Sequence, residues 1–149
     1  MAAIRRVDTR PEVVIRRGLH ARGLRFRLQD KQLPGRPDLV FPRYQVALFV
    51  NGCFWHGHDC PLFRWPSTRA DFWRAKITGN VVRDLRNDAQ LEALGWRVGV
   101  AWECAVKGPG RLPADQMLDE LAAAIRGTAA AFSVQGVQSR PGRVVTAEG

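Results

Sequence analysis

Ten residues, NGCFWHGHDC at positions 51–60, hold two cysteines, two histidines, an aspartate and a Phe-Trp pair. Thiolate and imidazole are the donors zinc prefers, and a histidine beside a metal can also serve as a general base. The third cysteine, Cys104, ends the run GWRVGVAWEC at 95–104, and the remaining histidine, His20, lies far upstream. A strand that returned Cys104 to the first run would complete a Cys₃His set from Cys53, His58, Cys60 and Cys104, a common closed zinc site. The spacing leaves the histidines open. Alternation along an extended segment puts His56 and His58 on the same side, so either could be the ligand and the other a base. The competing reading is three reduced, half-buried thiols without a metal. A dinuclear hydrolytic centre built on HGHDC is disfavoured, because the chain has only three histidines.

Asp38 is a second candidate. It follows Pro37 and opens the apolar run DLVF at 38–41, and YQVALFV at 44–50 turns back toward it after Pro42-Arg43. A carboxylate at the mouth of such a hairpin can hold Mg²⁺ against a phosphodiester, although an Asp in a Pro-rich turn is also a common structural device. Nucleases of the Pro-Asp…(Asp/Glu)-x-Lys pattern carry a second carboxylate and a lysine at the end of the next strand. Here those places read Val50, Asn51 and Gly52. On local pattern alone, two of the three parts are missing.

Positioning these residues calls for one α/β domain, which 149 residues with 46% hydrophobic content can build without disulfides. Thr9-Arg10-Pro11-Glu12 has the form of a capping box and predicts a helix over 10–22. Alternation predicts a strand at 24–29 (LRFRLQ) with a basic wet face, followed by the hairpin 38–50. Thr68-Arg69-Ala70-Asp71 offers a cap-like start for a long helix to Leu94, with Gly79 a point of kinking. A strand at 96–102 and an amphipathic helix at 114–126 complete the order. From Gly127 the chain is small, Gly-rich and basic without a period, and is expected to be a loosely ordered tail. There is no internal repeat.

The formal net charge is +9, and residues 1–36 alone carry ten Lys or Arg against three carboxylates. Such an excess points to a polyanionic partner, with nucleic acid first, or to a basic solvated surface. No apolar run reaches the roughly 20 residues of a membrane span, and the start MAAIRR lacks a signal-peptide core. The expectation is a cytoplasmic, nucleoid-associated protein in a reducing compartment, with no membrane partner.

The runs DTRPE (8–12), LPGRPDLVFP (33–42), NGCFWHGHDC (51–60), FWRAKITGNVVRD (72–84) and GWRVGVAWECA (95–105) together resemble the very short patch repair (Vsr) mismatch endonucleases. The similarity spans about residues 1–107, in order and with similar gaps. It implies a restriction-endonuclease-like core that nicks double-stranded DNA 5′ to the T of a T:G mismatch arising from deaminated 5-methylcytosine. By the same resemblance Asp38 would ligate Mg²⁺, with the main-chain carbonyl of Val50 as second ligand. His56 would be the base that activates water, and Glu12 and Asp84 would hold waters around the metal. Cys53, His58, Cys60 and Cys104 would hold the structural zinc, which divides the two histidines. Locally, Glu12 also reads as a capping residue and Asp84 as part of a solvated helix face beside Arg83 and Arg86.

Resemblance assigns Phe54, Trp55 and Trp73 to a wedge that enters the duplex beside the mismatch, against the ordinary reading of aromatics as core. Lys76, Arg64 and Arg69 are expected phosphate contacts. Trp65, Trp96 and Trp102 are left to the core or to general contact. One departure is Asn51, where many family members have a histidine; it can hydrogen-bond a water but cannot carry positive charge. The N-terminal arm is expected to be minimal, with Met1 removed and without a wedge role. The endonuclease domain is expected over 1–126 with the tail at 127–149, as a monomer, with other mismatch-repair proteins a second class of partner beside DNA. The rival readings are a nuclease of the same fold without mismatch preference, and a non-catalytic zinc-stabilised DNA-binding module.

Overall fold

The computed structural model describes residues 9–138; Met1, on which the expectation about the arm rests, lies outside them. The order is α1 (Arg10–Ala21), β1 (Arg27–Leu28), β2 (Leu39–Phe41), β3 (Val46–Asn51), α2 (Ala70–Ala93), β4 (Arg97–Trp102), α3 (Ala114–Arg126) and β5 (Ala131–Val134). The five strands form one sheet in sequence order, antiparallel from β1 to β3 and parallel from β3 to β5. Each parallel step needs a crossover, and α2 and α3 supply the two.

Alternation along the strands sorts the core into two layers. Leu39, Phe41, Val46, Leu48, Ala101 and Val134 pack with Ile15 and Leu19 of α1 and with Met117, Leu121 and Ile125 of α3. The opposite set, Ala47 and Val98, packs with Leu91 of α2. The sheet is therefore sandwiched between α1 and α3 on one face and α2 on the other, a mixed α/β fold as expected. Among the described residues no helix is long and apolar enough to cross a membrane.

The N-cap expected at α1 forms: Thr9 Oγ1 accepts from the Glu12 N–H at 3.4 Å, with Pro11 in the first turn. The cap expected at Thr68 does not. Arg69 occupies that position with a left-handed backbone and no side-chain hydrogen bond. Gly79 does not interrupt α2, which is continuous over 24 residues. The strand expected at 24–29 shrinks to two residues, because Leu24 is drawn into the core and Gln29 turns left-handed at φ 51°.

The loosely ordered tail expected over 127–149 is corrected as far as residue 138, the remainder lying outside the described residues. Residues 131–134 form β5, whose Val98↔Ala131 to Ala101↔Val134 pairing extends the sheet. Arg97 fixes this arrangement by donating to the carbonyls of Ala124, Ile125 and Ala129 at 2.8, 3.0 and 2.7 Å. One guanidinium thus satisfies the open C-terminal carbonyls of α3 and ties the start of β4 to the approach to β5.

Candidate active site and metal centre

The register of β3 and β4 brings the chemistry together. Asn51 pairs with Trp102, so the chain leaves both strands side by side, and Cys53 and Cys104 each lie two residues beyond that pair. Sites at the carboxyl ends of neighbouring parallel strands are the rule in open α/β sheets. Cys53, His58, Cys60 and Cys104 offer ligand atoms that all lie within 4.8 Å of one another. His58 Nδ1 is 3.7 Å from Cys104 Sγ, which matches the roughly 3.6 Å edge of a tetrahedron with ordinary Zn–N and Zn–S lengths. All three cysteines are free and buried. Burial pushes the Cys53 and Cys60 thiols above their ordinary range and holds His58 below its own, a direction that favours the neutral imidazole. This donor set can hold a metal ion.

The two histidines separate, contrary to the alternation expected for an extended segment. Residues 53–58 form a tight turn, with Gly57 N–H donating to Phe54 O and His58 N–H to Cys53 O. Gly57 sits between the rings at φ 61°, and a Cβ there would meet Ile77 Cγ2 of α2 at 2.9 Å. His58 consequently points into the cysteine cluster, whereas Nδ1 of His56 meets Asp84 Oδ2 at 2.5 Å. Trp102 lies against both rings, stacked on His58 at 3.9 Å and edge-on to His56 at 6.3 Å.

A cleft of about 900 Å³ opens over the ends of β2 and β3 and the middle of α2. Asp38, Val50, Asn51, Phe54, Trp55, His56 and Asp84 all line it. Asp38 precedes β2, and its Oδ2 accepts the Val50 N–H at 2.7 Å. Burial first, and the neighbouring charge of Glu12 second, push its carboxyl up to about 7, against the opposing Val50 and Gln29 hydrogen bonds. Glu12 itself is 1% exposed. Gln29 joins the two acids, donating to Glu12 Oε2 at 3.0 Å and reaching Asp38 Oδ1 at 3.5 Å, while Arg16 pairs with Glu12 at 3.4 Å. Glu12 therefore has its N–H capped by Thr9 and its carboxylate in the Asp38 network.

Phe54, Trp55 and Trp73 form a half-buried cluster with centroids 5.2 to 5.8 Å apart. Phe63 and Trp65 continue it, and Arg74 lies 4.6 Å over the Trp65 ring. Asn80 Nδ2 donates to Trp55 O at 2.8 Å and so fixes the aromatic loop to α2. Arg64, Arg69 and Lys76 are exposed and outside the cleft lining, with Arg69 stacked over Phe72 at 4.3 Å.

Sequence reasoning missed Gln29, Asn80, Asp88 and the segment after β5. Asn80 and Asp88 were within reach, since they stand one helical turn on either side of Asp84 and share its face. Asp88 also borders the cleft, and burial followed by the charges of Asp84 and Glu92 pushes it up to about 6. Gln29 gave no signal, because its position depends on a left-handed backbone.

The comparisons with known proteins bear on the family of the chain. The family model described as DNA mismatch endonuclease Vsr matches residues 1–62. The type II nicking enzyme V.XorIIP of Xanthomonas oryzae pv. oryzae is 50% identical over 114 residues, 76% of this chain and 84% of that protein. The type II nicking enzyme V.NmeAIP of Neisseria meningitidis is 43% identical over 72% of this chain and 76% of its own length. With 44% identity to the DNA mismatch endonuclease Vsr of Escherichia coli over 92% of this chain and 89% of that one, the protein belongs to the Vsr family of DNA mismatch endonucleases.

Proposed function

We propose that this enzyme is a Mg²⁺-dependent endonuclease that nicks double-stranded DNA 5′ to the T of a T:G mismatch, and that a structural zinc pins its active-site loop. The observation that carries this reading is the convergence of Asp38 and the His56–Asp84 pair on one cleft beside a closed Cys₃His set. The Asp38 carboxylate and the Val50 carbonyl would hold Mg²⁺, a cation that takes oxygen donors. An acid pushed up to about 7 beside a second buried acid gains from such a partner. Bound there, Mg²⁺ supplies Lewis-acid neutralisation of the phosphate undergoing attack.

The chain's own groups do the rest. Asp84 accepts the Nδ1 proton of His56, which leaves Nε2 as the basic nitrogen to take a proton from the attacking water. Glu12 acts through Gln29 on Asp38, and Asn51 offers the cleft an uncharged hydrogen-bonding amide. Three thiolates and one imidazole select zinc over the hard cations, and closing four ligands stabilises an irregular loop directly. Phe54, Trp55 and Trp73 supply the wedge. A wobble pair resists unstacking less than a matched one, so ring insertion favours the mismatch. Arg64, Arg69 and Lys76 contact phosphates. The reading carries with it a monomer acting at the nucleoid, with other mismatch-repair proteins as a second class of partner.

The test is nicking of end-labelled T:G and matched duplexes with Mg²⁺, alongside metal analysis, for which about one zinc per chain is expected. Wild type should cut the T:G duplex alone, and Asp38→Ala and His56→Ala should abolish cutting. Equal cutting of both duplexes would establish a nuclease without mismatch preference. Activity on DNA untouched by both substitutions would rule out this catalytic assignment.

A further inference from the structure

The segment after β5 makes three hydrogen bonds to two of the four metal-binding residues. Gln135 Oε1 lies 2.8 Å from His58 Nε2, the Gly136 N–H donates to Cys104 Sγ at 3.3 Å, and Gln138 Nε2 reaches the same sulfur at 3.6 Å. An amide oxygen only accepts, so the first contact places the ring proton on Nε2 and leaves the lone pair on Nδ1, the atom 3.7 Å from Cys104 Sγ. Trp102 stacks on the face of the same ring. The His58 imidazole is thereby fixed in tautomer by Gln135 and in plane by Trp102.

The two N–H donors act on charge. Three thiolates and one neutral imidazole around a divalent ion leave a net negative centre, and donors to a ligand sulfur offset that excess. The backbone path is specific to this task. A Cβ at Gly136 would come within 2.2 Å of Cys104 O and 2.6 Å of Gly110 O, so only glycine lets the chain pass this close. Val137 N–H donates to Gly110 O at 2.7 Å, and Gln138 Nε2 closes back on Gly136 O at 2.6 Å. The segment is thus held against the turn that carries Cys104.

We propose that residues 135–138 are an outer clamp on the metal centre, setting how long zinc stays bound and making β5 and the zinc site one structural unit. The proposal rests on the zinc reading above, and Gln135 is in these terms a positioning residue for His58. Its test is zinc release from the full-length, zinc-loaded protein to a chromogenic chelator, a readout independent of DNA cleavage.

Gln135→Leu removes the acceptor at similar size and should release zinc about 10- to 100-fold faster, the usual consequence of losing such a partner. Gln135→Glu retains an acceptor and should stay near the wild-type rate. Should Gln135→Leu not fold by circular dichroism, Gln138→Leu decides, with release about tenfold faster expected. Wild-type release from folded, zinc-loaded Gln135→Leu, or in its place Gln138→Leu, overturns the clamp while leaving the zinc reading intact. Wild-type protein that purifies without zinc, and takes none up, overturns both.

Discussion

The Asp84 carboxylate on α2 holds the His56 ring, in the loop after β3, at 2.5 Å. The two are 28 residues apart in sequence, and the bond closes the gap between the sheet end and the helix that covers it. An acid that accepts from one imidazole nitrogen fixes the tautomer and supports the positive ring formed when the other takes a proton. Asp84→Asn keeps the shape but permits the wrong tautomer. Single-turnover nicking should fall by about 10²- to 10⁴-fold, while DNA affinity by gel shift stays within a few-fold of wild type. An equal loss in both measurements would make Asp84 a binding residue instead.

Stability should respond to pH through Asp38. Its folded carboxyl is raised from 3.8 to about 7, with burial the main cause. Below about 3.8 both states are protonated and the group contributes nothing. Between there and about 7 the unfolded chain ionises while the folded chain resists, so the folded state loses stability as pH rises, by at most about 4 kcal/mol. Asp88, raised to about 6 by burial and then by Asp84 and Glu92, acts in the same direction. Thermal melts of the zinc-loaded, Mg²⁺-free protein should show Tm falling from about pH 5.5 to about pH 7 relative to Asp38→Asn. Mg²⁺ should recover much of the loss at pH 8, because it binds the ionised form.

The parts of this site that were legible in the sequence are those whose chemistry is rare. Three cysteines in the whole chain, two of them in one decapeptide, leave few ways to be used together, and the register of β3 and β4 realises the expected set. The division of labour between His56 and His58 was not legible from spacing, because Gly57 at φ 61° replaces the assumed extended path with a turn. β5 was missed for a different reason. Its four residues, AFSV, are too few to show a period, with only Val134 fully buried, and they take their order from β4 and the Arg97 guanidinium. Gln29 stands where two strands and a helix meet, so its link between Glu12 and Asp38 exists only in three dimensions.

Gln29 gives a direct measure of that link. Gln29→Leu removes the donor shared by Glu12 and Asp38 and leaves two neighbouring acids to repel each other. The Mg²⁺ concentration giving half-maximal nicking should rise by about 10- to 100-fold, as for other residues that orient a metal ligand. Maximal rate at saturating Mg²⁺ should change little, since the proposed base, His56, is untouched. A loss of maximal rate that added Mg²⁺ does not restore would assign Gln29 a part in catalysis itself.

Gly57 offers a test of how the loop is shaped. An alanine there would combine a left-handed backbone at φ 61° with a Cβ only 2.9 Å from Ile77 Cγ2. The backbone term alone costs about 1 to 2 kcal/mol. Gly57→Ala should therefore lower Tm and reduce nicking together. In a double-mutant cycle with Ile77→Ala, which removes Cγ2, the further loss caused by Gly57→Ala should be smaller than in the wild-type background, and an unchanged loss would locate the whole effect in the backbone.

The aromatic cluster makes the sharpest demand on the substrate. Phe54, Trp55 and Trp73 touch one another at centroid separations of 5.2 to 5.8 Å and are only half buried, so their rings present one surface instead of three separate contacts. Asn80 holds that surface to α2 through the Trp55 carbonyl. Inserting it beside a T:G pair costs roughly a few kcal/mol of unstacking, returned by stacking at about 1–3 kcal/mol per base. Trp55→Ala should weaken binding to a T:G duplex by about 10- to 100-fold while leaving matched-duplex affinity nearly unchanged. A 2-aminopurine placed next to the mismatch should brighten on binding wild type and stay quenched with Trp55→Ala. Equal brightening with both proteins would mean that the rings do not enter the stack, and the preference for mismatched DNA would then have to arise from the cleft alone.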